Sequence, residues 1–217
     1  MEIIKTSYVD RVYLQIKNKI INNEFKPNEK LCISKLTDQL NVSSTPIREA
    51  LNRLLHEQFV IKGDNRGFYT RSLDYKEQLE LVILREILLV SIIKIYLDKA
   101  SQERLNDFSK KIEALINKEA SCNAQKINSI DNEFTFLILD VINNNELSRL
   151  YTNCIERNSY PWHTFIKQNS VYFLSMYDKL FFYIRKRDLS NSKGIIKEIF
   201  CKLKNSNHIE LLCLVSV

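Results

Sequence analysis

Glycine and proline are scarce in this chain, three of each in 217 residues. Such a shortage, beside abundant Leu, Ile, Lys, Glu and Asn, points to helices over strands. The sequence also lacks a glycine-rich loop of the kind that cradles phosphate. Its three histidines, His56, His163 and His208, are far apart. No His/Cys or Ser/His/Asp grouping has a spacing that reads as a catalytic site, so the chain is not expected to be an enzyme. The five cysteines (Cys32, Cys122, Cys154, Cys201, Cys213) are odd in number and contain no CxxC pair. That pattern reads as reduced cytosolic thiols and not as a disulfide frame. The N-terminus lacks a basic stretch followed by an apolar one, so no signal peptide is expected. Residues 79–97 are strongly apolar, yet Glu80, Arg85, Glu86 and Lys94 interrupt them. Charges near a bilayer midplane are expensive, and this segment reads as a buried helix of a bundle.

The formal net charge is +6. Residues 1–73 hold twelve Lys/Arg and eight Asp/Glu, a balance of +4, which leaves +2 for the other 144 residues. The excess in the N-terminal third suggests a polyanionic partner.

Periodicity places the elements. Val9, Tyr13, Ile16 and Ile20 mark one face of a helix from about Thr6 to Asn22. Ile33, Leu36 and Leu40 mark a short second helix, and Ile47, Leu51, Leu54 and Leu55 a third. Phe59-Val60-Ile61 and Phe68-Tyr69-Thr70 are β-prone runs around a Gly63-to-Gly67 turn, which predicts a hairpin. Three helices and a hairpin make a winged helix-turn-helix. From residue 74 only helical patterns occur, with helices expected at 75–99, 101–117, 124–142, 146–160, 165–186 and 190–205. The chain is therefore read as mostly α, with a winged helix-turn-helix at 1–73 and an all-helical six- or seven-helix bundle at 74–217. The final apolar run, IELLCLVSV, is expected to dock on the bundle or on an oligomer partner.

The junction NVSSTP, at residues 41–46, carries the chemistry. Ser43 can cap the third helix by accepting from a backbone N–H. Pro46 falls in the first turn, where a missing N–H costs little. Ser44 and Thr45 are short hydroxyls at a helix N-terminus, itself a site for anions. Arg48 and Asn52 lie one turn apart, opposite the Ile47/Leu51 face, where Arg48 can meet a phosphate or a guanine edge. Lys62 to Arg66 form a basic wing. Taken singly, Ser43 is a cap, Arg48 a solvated charge and Gly67 a turn glycine; only the ensemble is specific.

The run from Lys26 to Thr70, about 45 residues, resembles the winged-helix domain of GntR-family transcription regulators. Leu31, Leu36, Leu40, Val42, Ser43, Thr45, Pro46, Arg48, Glu49, Ala50, Leu51, Leu54 and Gly67 match the family pattern. The resemblance implies a DNA-binding surface of Lys35, Ser43, Ser44, Thr45, Arg48, Asn52, Arg53, Lys62, Arg66 and Gly67. Two departures stand out. Ser44 and Ser34 occupy positions where the family often carries arginines that touch guanine or phosphate.

The C-terminal part is similar to the helical ligand-binding (FCD) domain of the FadR subfamily. QLELVILREILL places Arg85 at that domain's usual arginine, and Asp131, Phe134, Asn144 and Leu147 fall at matching offsets. Many relatives hold a divalent metal there through an Asp and three His. This chain keeps Asp131 but has Thr135, Tyr177 and Ile199 at the aligned histidine positions, so no metal cofactor is expected. By analogy an effector would meet Arg85, Asp131, Thr135, Arg149, Arg157 and Tyr177. The implied whole is a cytoplasmic, homodimeric repressor that binds operator DNA under control of a small organic effector. The alternative is a helical dimeric protein-interaction module with a degenerate DNA-binding head.

Overall fold

The computed structural model describes residues 8–63, 67–117 and 123–205. Thr6, Arg66, Cys122, Cys213, His208 and the C-terminal apolar run lie outside them. The fold is mostly helical, and it divides into two compact units, one ending at Asp74 and the other beginning at Tyr75.

The first unit opens with α1 (Tyr8–Ile21), which buries Val12, Tyr13 and Ile16. A two-residue strand β1 (Lys30–Leu31) leads into α2 (Ile33–Leu40) and α3 (Ser44–His56). The hairpin strands β2 (Val60–Lys62) and β3 (Phe68–Thr70) complete an antiparallel sheet of order β1-β3-β2. The hairpin is as the sequence predicts, but β1 is an addition. Two residues carry no period to read, and what holds β1 is non-local: Lys30 opposes Tyr69 and Leu31 opposes Phe68. Thr70 donates its backbone N–H to the Glu29 carbonyl and accepts the Glu29 N–H on its hydroxyl at 2.8 Å. The core of this unit joins Val12, Ile16, Leu36, Ile47, Leu51, Leu54 and Phe68.

The second unit contains α4 (Tyr75–Lys99), α5 (Gln102–Asn117), α6 (Ala124–Ile142), α7 (Asn145–Arg157), α8 (Ser159–Arg185) and α9 (Leu189–Lys204). Helices α4, α6 and α8 pack on one another and on the flanking helices. Their core is rich in aromatic contacts: Phe108, Phe134, Tyr177 and Phe181 sit with ring centroids 5.3–6.5 Å apart. No helix among the described residues is long and apolar enough to cross a membrane, α4 included.

One boundary differs from the sequence reading. The expected break lies between residues 160 and 165, but the chain breaks at Asn158 and α8 runs through Pro161. Pro161 falls in the first turn of α8, where its missing N–H is one the helix leaves unpaired anyway. The disturbance comes later, at Asn169, whose backbone (φ −125°, ψ 23°) leaves the helical region. The Asn169 side-chain amide donates to the Phe165 carbonyl at 3.0 Å across this kink.

Candidate nucleic-acid interface and the buried polar cluster

The turn between α2 and α3 is set by Asn41. It closes α2 in the left-handed region (φ 51°, ψ 50°), and its N–H donates to the Thr37 carbonyl. Asparagine tolerates that conformation better than most residues. Val42 packs on the core, and the chain emerges at Ser43 in extended geometry. Ser43 holds the N-cap position of α3 but makes no side-chain cap hydrogen bond. Its hydroxyl is therefore not spent on the helix, contrary to the capping bond read from the sequence.

Ile47, Ala50, Leu51 and Leu54 bury one face of α3 completely, each at 0 % exposure. The same rotation leaves Ser43, Ser44, Thr45, Arg48 and Asn52 exposed on the other face, with Lys35 exposed on α2. Arg48 makes no ion pair within the described residues. Arg53 is different. Its guanidinium pairs with Asp10 at 3.0 Å and Glu57 at 3.4 Å and lies 3.9 Å from the Tyr13 ring centroid. Tyr13 donates its hydroxyl to Glu57 at 2.6 Å, and Lys17 reaches the same carboxylate at 3.3 Å. Arg53 is thus half-exposed and already engaged in joining α3 to α1.

At the wing, Lys62 lies on β2 with its ammonium 5.8 Å from the Phe68 ring centroid. Gly67 has no positive φ, and neither does Gly63. What both positions require is room. A Cβ on Gly63 would stand 2.6 Å from a Tyr69 ring carbon, and one on Gly67 3.2 Å from the same atom. The Gly63 N–H donates to the Gly67 carbonyl at 3.0 Å, closing the base of the wing.

The second unit buries a charged cluster. Arg85 is 2 % exposed and Asp131 5 %. The Arg85 Nη2 donates to Asp131 Oδ2 at 2.8 Å, and Tyr177 donates its hydroxyl to Oδ1 at 2.6 Å. The guanidinium lies 4.2 Å from the ring centroid of Trp162 on α8. Burial acts to lower the Arg85 pKa, but Asp131, Tyr151 and Tyr177 together hold it above its ordinary value, so the cation persists. Burial, then the Asp131 charge, push the Tyr177 phenol well above 10. Burial likewise pushes Tyr151 up to about 12. Arg85 Nε and Nη1, Thr135 Oγ1, Tyr151 Oη and Trp162 Nε1 are buried without a hydrogen-bond partner of standard geometry. Close by, His163 Nδ1 and Asn128 Nδ2 are 2.6 Å apart. Burial lowers the His163 pKa while Asp131 works the other way.

Of the residues expected to meet an effector, Arg85, Asp131 and Tyr177 are in direct contact, and Thr135 follows one turn after Asp131 on α6. Arg149 is exposed on α7 and bound to Glu146 at 2.6 Å. Arg157 is half-buried at the end of α7 and acts electrostatically on Cys154. Tyr151 and Trp162 belong to the cluster but escape sequence reasoning, because a buried aromatic reads as core.

The donor set does not fit a transition metal. Both Asp131 oxygens already accept hydrogen bonds, one from a guanidinium that a metal cation would have to displace. Thr135 offers a hydroxyl, Tyr177 a protonated phenol and Ile199 nothing, whereas such ions favour imidazole or thiolate. Among the described residues no three His, Cys, Asp or Glu side chains gather in one place.

The architecture defines a class, a winged helix-turn-helix unit joined to a helical bundle. Residues 8–70 match the model of bacterial regulatory proteins of the gntR family. The chain is 32 % identical over 142 residues to the Nta operon transcriptional regulator of Aminobacter aminovorans, covering 63 % of this chain and 65 % of the relative. It is also 32 % identical over 150 residues to the HTH-type transcriptional regulator YdhC of Bacillus subtilis (strain 168), covering 67 % of this chain and 65 % of that one. The matched region thus falls just short of two thirds of either relative. Among solved structures, McbR/YncC of Escherichia coli superposes with a TM-score of 0.78 over 97 % of this chain and 99 % of its own, at 18 % identity. That likeness establishes the fold of the chain.

Proposed function

We propose that this protein is a sequence-specific DNA-binding transcription regulator, cytoplasmic and homodimeric, that acts as a repressor under control of a small organic effector. The observation that carries the reading is the face of α3. Its N-terminus, the uncommitted Ser43 hydroxyl, Ser44, Thr45 and the unpaired Arg48 all project from a helix whose opposite side is fully buried. Such a helix end offers N–H donors to phosphates and side chains to base edges. Lys35, Asn52, Lys62 and Gly67 extend the surface, with Arg53 contributing charge from its place against α1; Arg66, outside the described residues, belongs to the proposed set by resemblance alone. Two copies would read half-sites about one helical turn apart.

The buried cluster of the helical unit supports the effector reading. Arg85 keeps a permanent charge and, beyond its contact with Tyr151, two nitrogens without a hydrogen bond of standard geometry, and Thr135 lacks one as well. An anionic group entering there would gain these donors and compete with Asp131 for Arg85. Coupling to DNA would follow if the two states of the cluster favour different geometries of the reading heads. Ser34 and Ser44, both exposed and uncharged, favour the alternative of a protein-interaction module with a degenerate head.

Selection of fragments from genomic DNA by the full chain separates the two. The regulator yields an enriched pseudo-palindrome whose affinity falls steeply with salt, because several phosphates are contacted. Arg48→Ala weakens that binding by about 1–3 kcal/mol if Arg48 reads a base. No enriched sequence would leave the interaction module standing.

A further inference from the structure

Helix α4 is apolar on nearly all sides, and a helix of that kind is ordinarily covered all round. Leu81, Val82, Leu89, Ile92, Ile93 and Tyr96 are buried in the bundle. On the outer side Ile83, Leu84 and Ile87 remain 41 %, 42 % and 58 % exposed. These three form the centre of a stripe that continues through Glu80 and Lys76 in one direction and Ser91, Lys94 and Asp98 in the other. All five flanking residues are exposed.

The charges of this stripe have a symmetry. Glu80 and Lys94 stand seven residues before and after Ile87, and Lys76 and Asp98 stand eleven before and after. At 3.6 residues per turn, all four lie within about 20° of Ile87 around the helix axis. Each matched pair is of opposite sign. Lys94 and Asp98 make no ion pair within the described residues, and Lys76 and Glu80 are only loosely paired at 4.0 Å.

We infer that α4 pairs antiparallel with α4 of a second copy, on a two-fold axis passing beside Ile87. A two-fold interface sets residue i of one copy against j of the other and repeats the contact. Here it places Glu80 of each copy against Lys94 of the other, and Lys76 against Asp98, while Ile83, Leu84 and Ile87 are covered. A parallel arrangement would set each charge against its own kind. The apolar stripe supplies the affinity, and the charges set direction and register. The inference rests on the homodimer proposed above and adds where the two copies meet.

Sedimentation of the full chain over a range of concentrations tests it, with no DNA present. The wild type sediments as a dimer. Glu80→Lys and Lys94→Glu each weaken the dimer about tenfold or more, since symmetry places every like-charge contact twice. The combined Glu80→Lys/Lys94→Glu variant returns to near wild-type affinity. Ile87→Lys, which puts two ammonium groups at the axis, gives monomers with unchanged helical circular dichroism. A dimer indifferent to all of these changes, or a combined variant as weak as its parents, overturns the interface and leaves the homodimer in place. A chain that is monomeric throughout overturns both, while DNA binding by a single head is read separately.

Discussion

At the scale of the residue, Arg85 and Asp131 are the most consequential pair in the helical unit. Both are almost fully buried, and each is held by further contacts, Trp162 on one side and Tyr177 on the other. Removing one member of a buried ion pair strands the other charge away from water, at a cost of about 3–5 kcal/mol. Replacing both with apolar groups removes the desolvation cost together with the attraction. Arg85→Met should therefore destabilise the helical unit by about that amount in urea titrations, and Arg85→Met/Asp131→Leu should recover most of the loss. If the double variant is as unstable as the single, the guanidinium is contributing through the Trp162 stack and not through Asp131. Arg85, Asp131 and Tyr177 entered the sequence reading only through the resemblance to a helical ligand-binding domain. Their mutual contact was not legible, because residue 85 meets residue 131 only through the packing of α4 on α6.

At the scale of the element, the wing shows how a correct sequence reading can have a different cause. Gly63 and Gly67 read as turn glycines, and they stand at the facing ends of the paired strands β2 and β3. Neither has a positive φ. The Tyr69 ring lies against both, so a side chain at position 63 must push it aside. Gly63→Val should dislodge Tyr69 from the sheet and weaken DNA binding with little change in overall helix content. The check is tyrosine fluorescence or proton NMR of the ring beside a binding titration. An unmoved ring would show that the wing has slack. Helix α8 carries the complementary lesson. Its start at Ser159 and its kink at Asn169 were missed, because Pro161 reads as a breaker unless its place in the first turn is known. Strand β1 was missed for a related reason: its partner is about forty residues away, and nothing local specifies it.

At the scale of the whole molecule, the two units have separate cores that share no residue. The helical core holds Tyr96, Tyr151 and Tyr177, and burial is the first cause of the raised pKa of each. Tyr96 and Tyr151 are pushed up to about 12. In the unfolded chain these phenols ionise near 10, so between pH 10 and 12 the unfolded state binds fewer protons than the folded one. The linkage then makes stability fall as pH rises. Thermal melts from pH 9 to 12 should show a falling midpoint for the helical unit, and Tyr151→Phe should flatten part of that fall. A midpoint independent of pH over this window would mean that water reaches the rings.

The amino-acid sequence by itself determined the kind of elements, the winged helix-turn-helix and the helical character of the rest. It also marked the serines, threonine and arginine at the start of α3. Those features are local, since periodicity, turn chemistry and helix-end preferences act within a few residues. Only the tertiary structure decided which side chains are already committed. Packing on α1 engages Arg53, and packing of α4 on α6, α7 and α8 closes Arg85 onto Asp131 among Tyr151, Trp162 and Tyr177. It also decided which face of α4 is left uncovered. Burial and partnership arise between segments distant in sequence, and no local pattern encodes them.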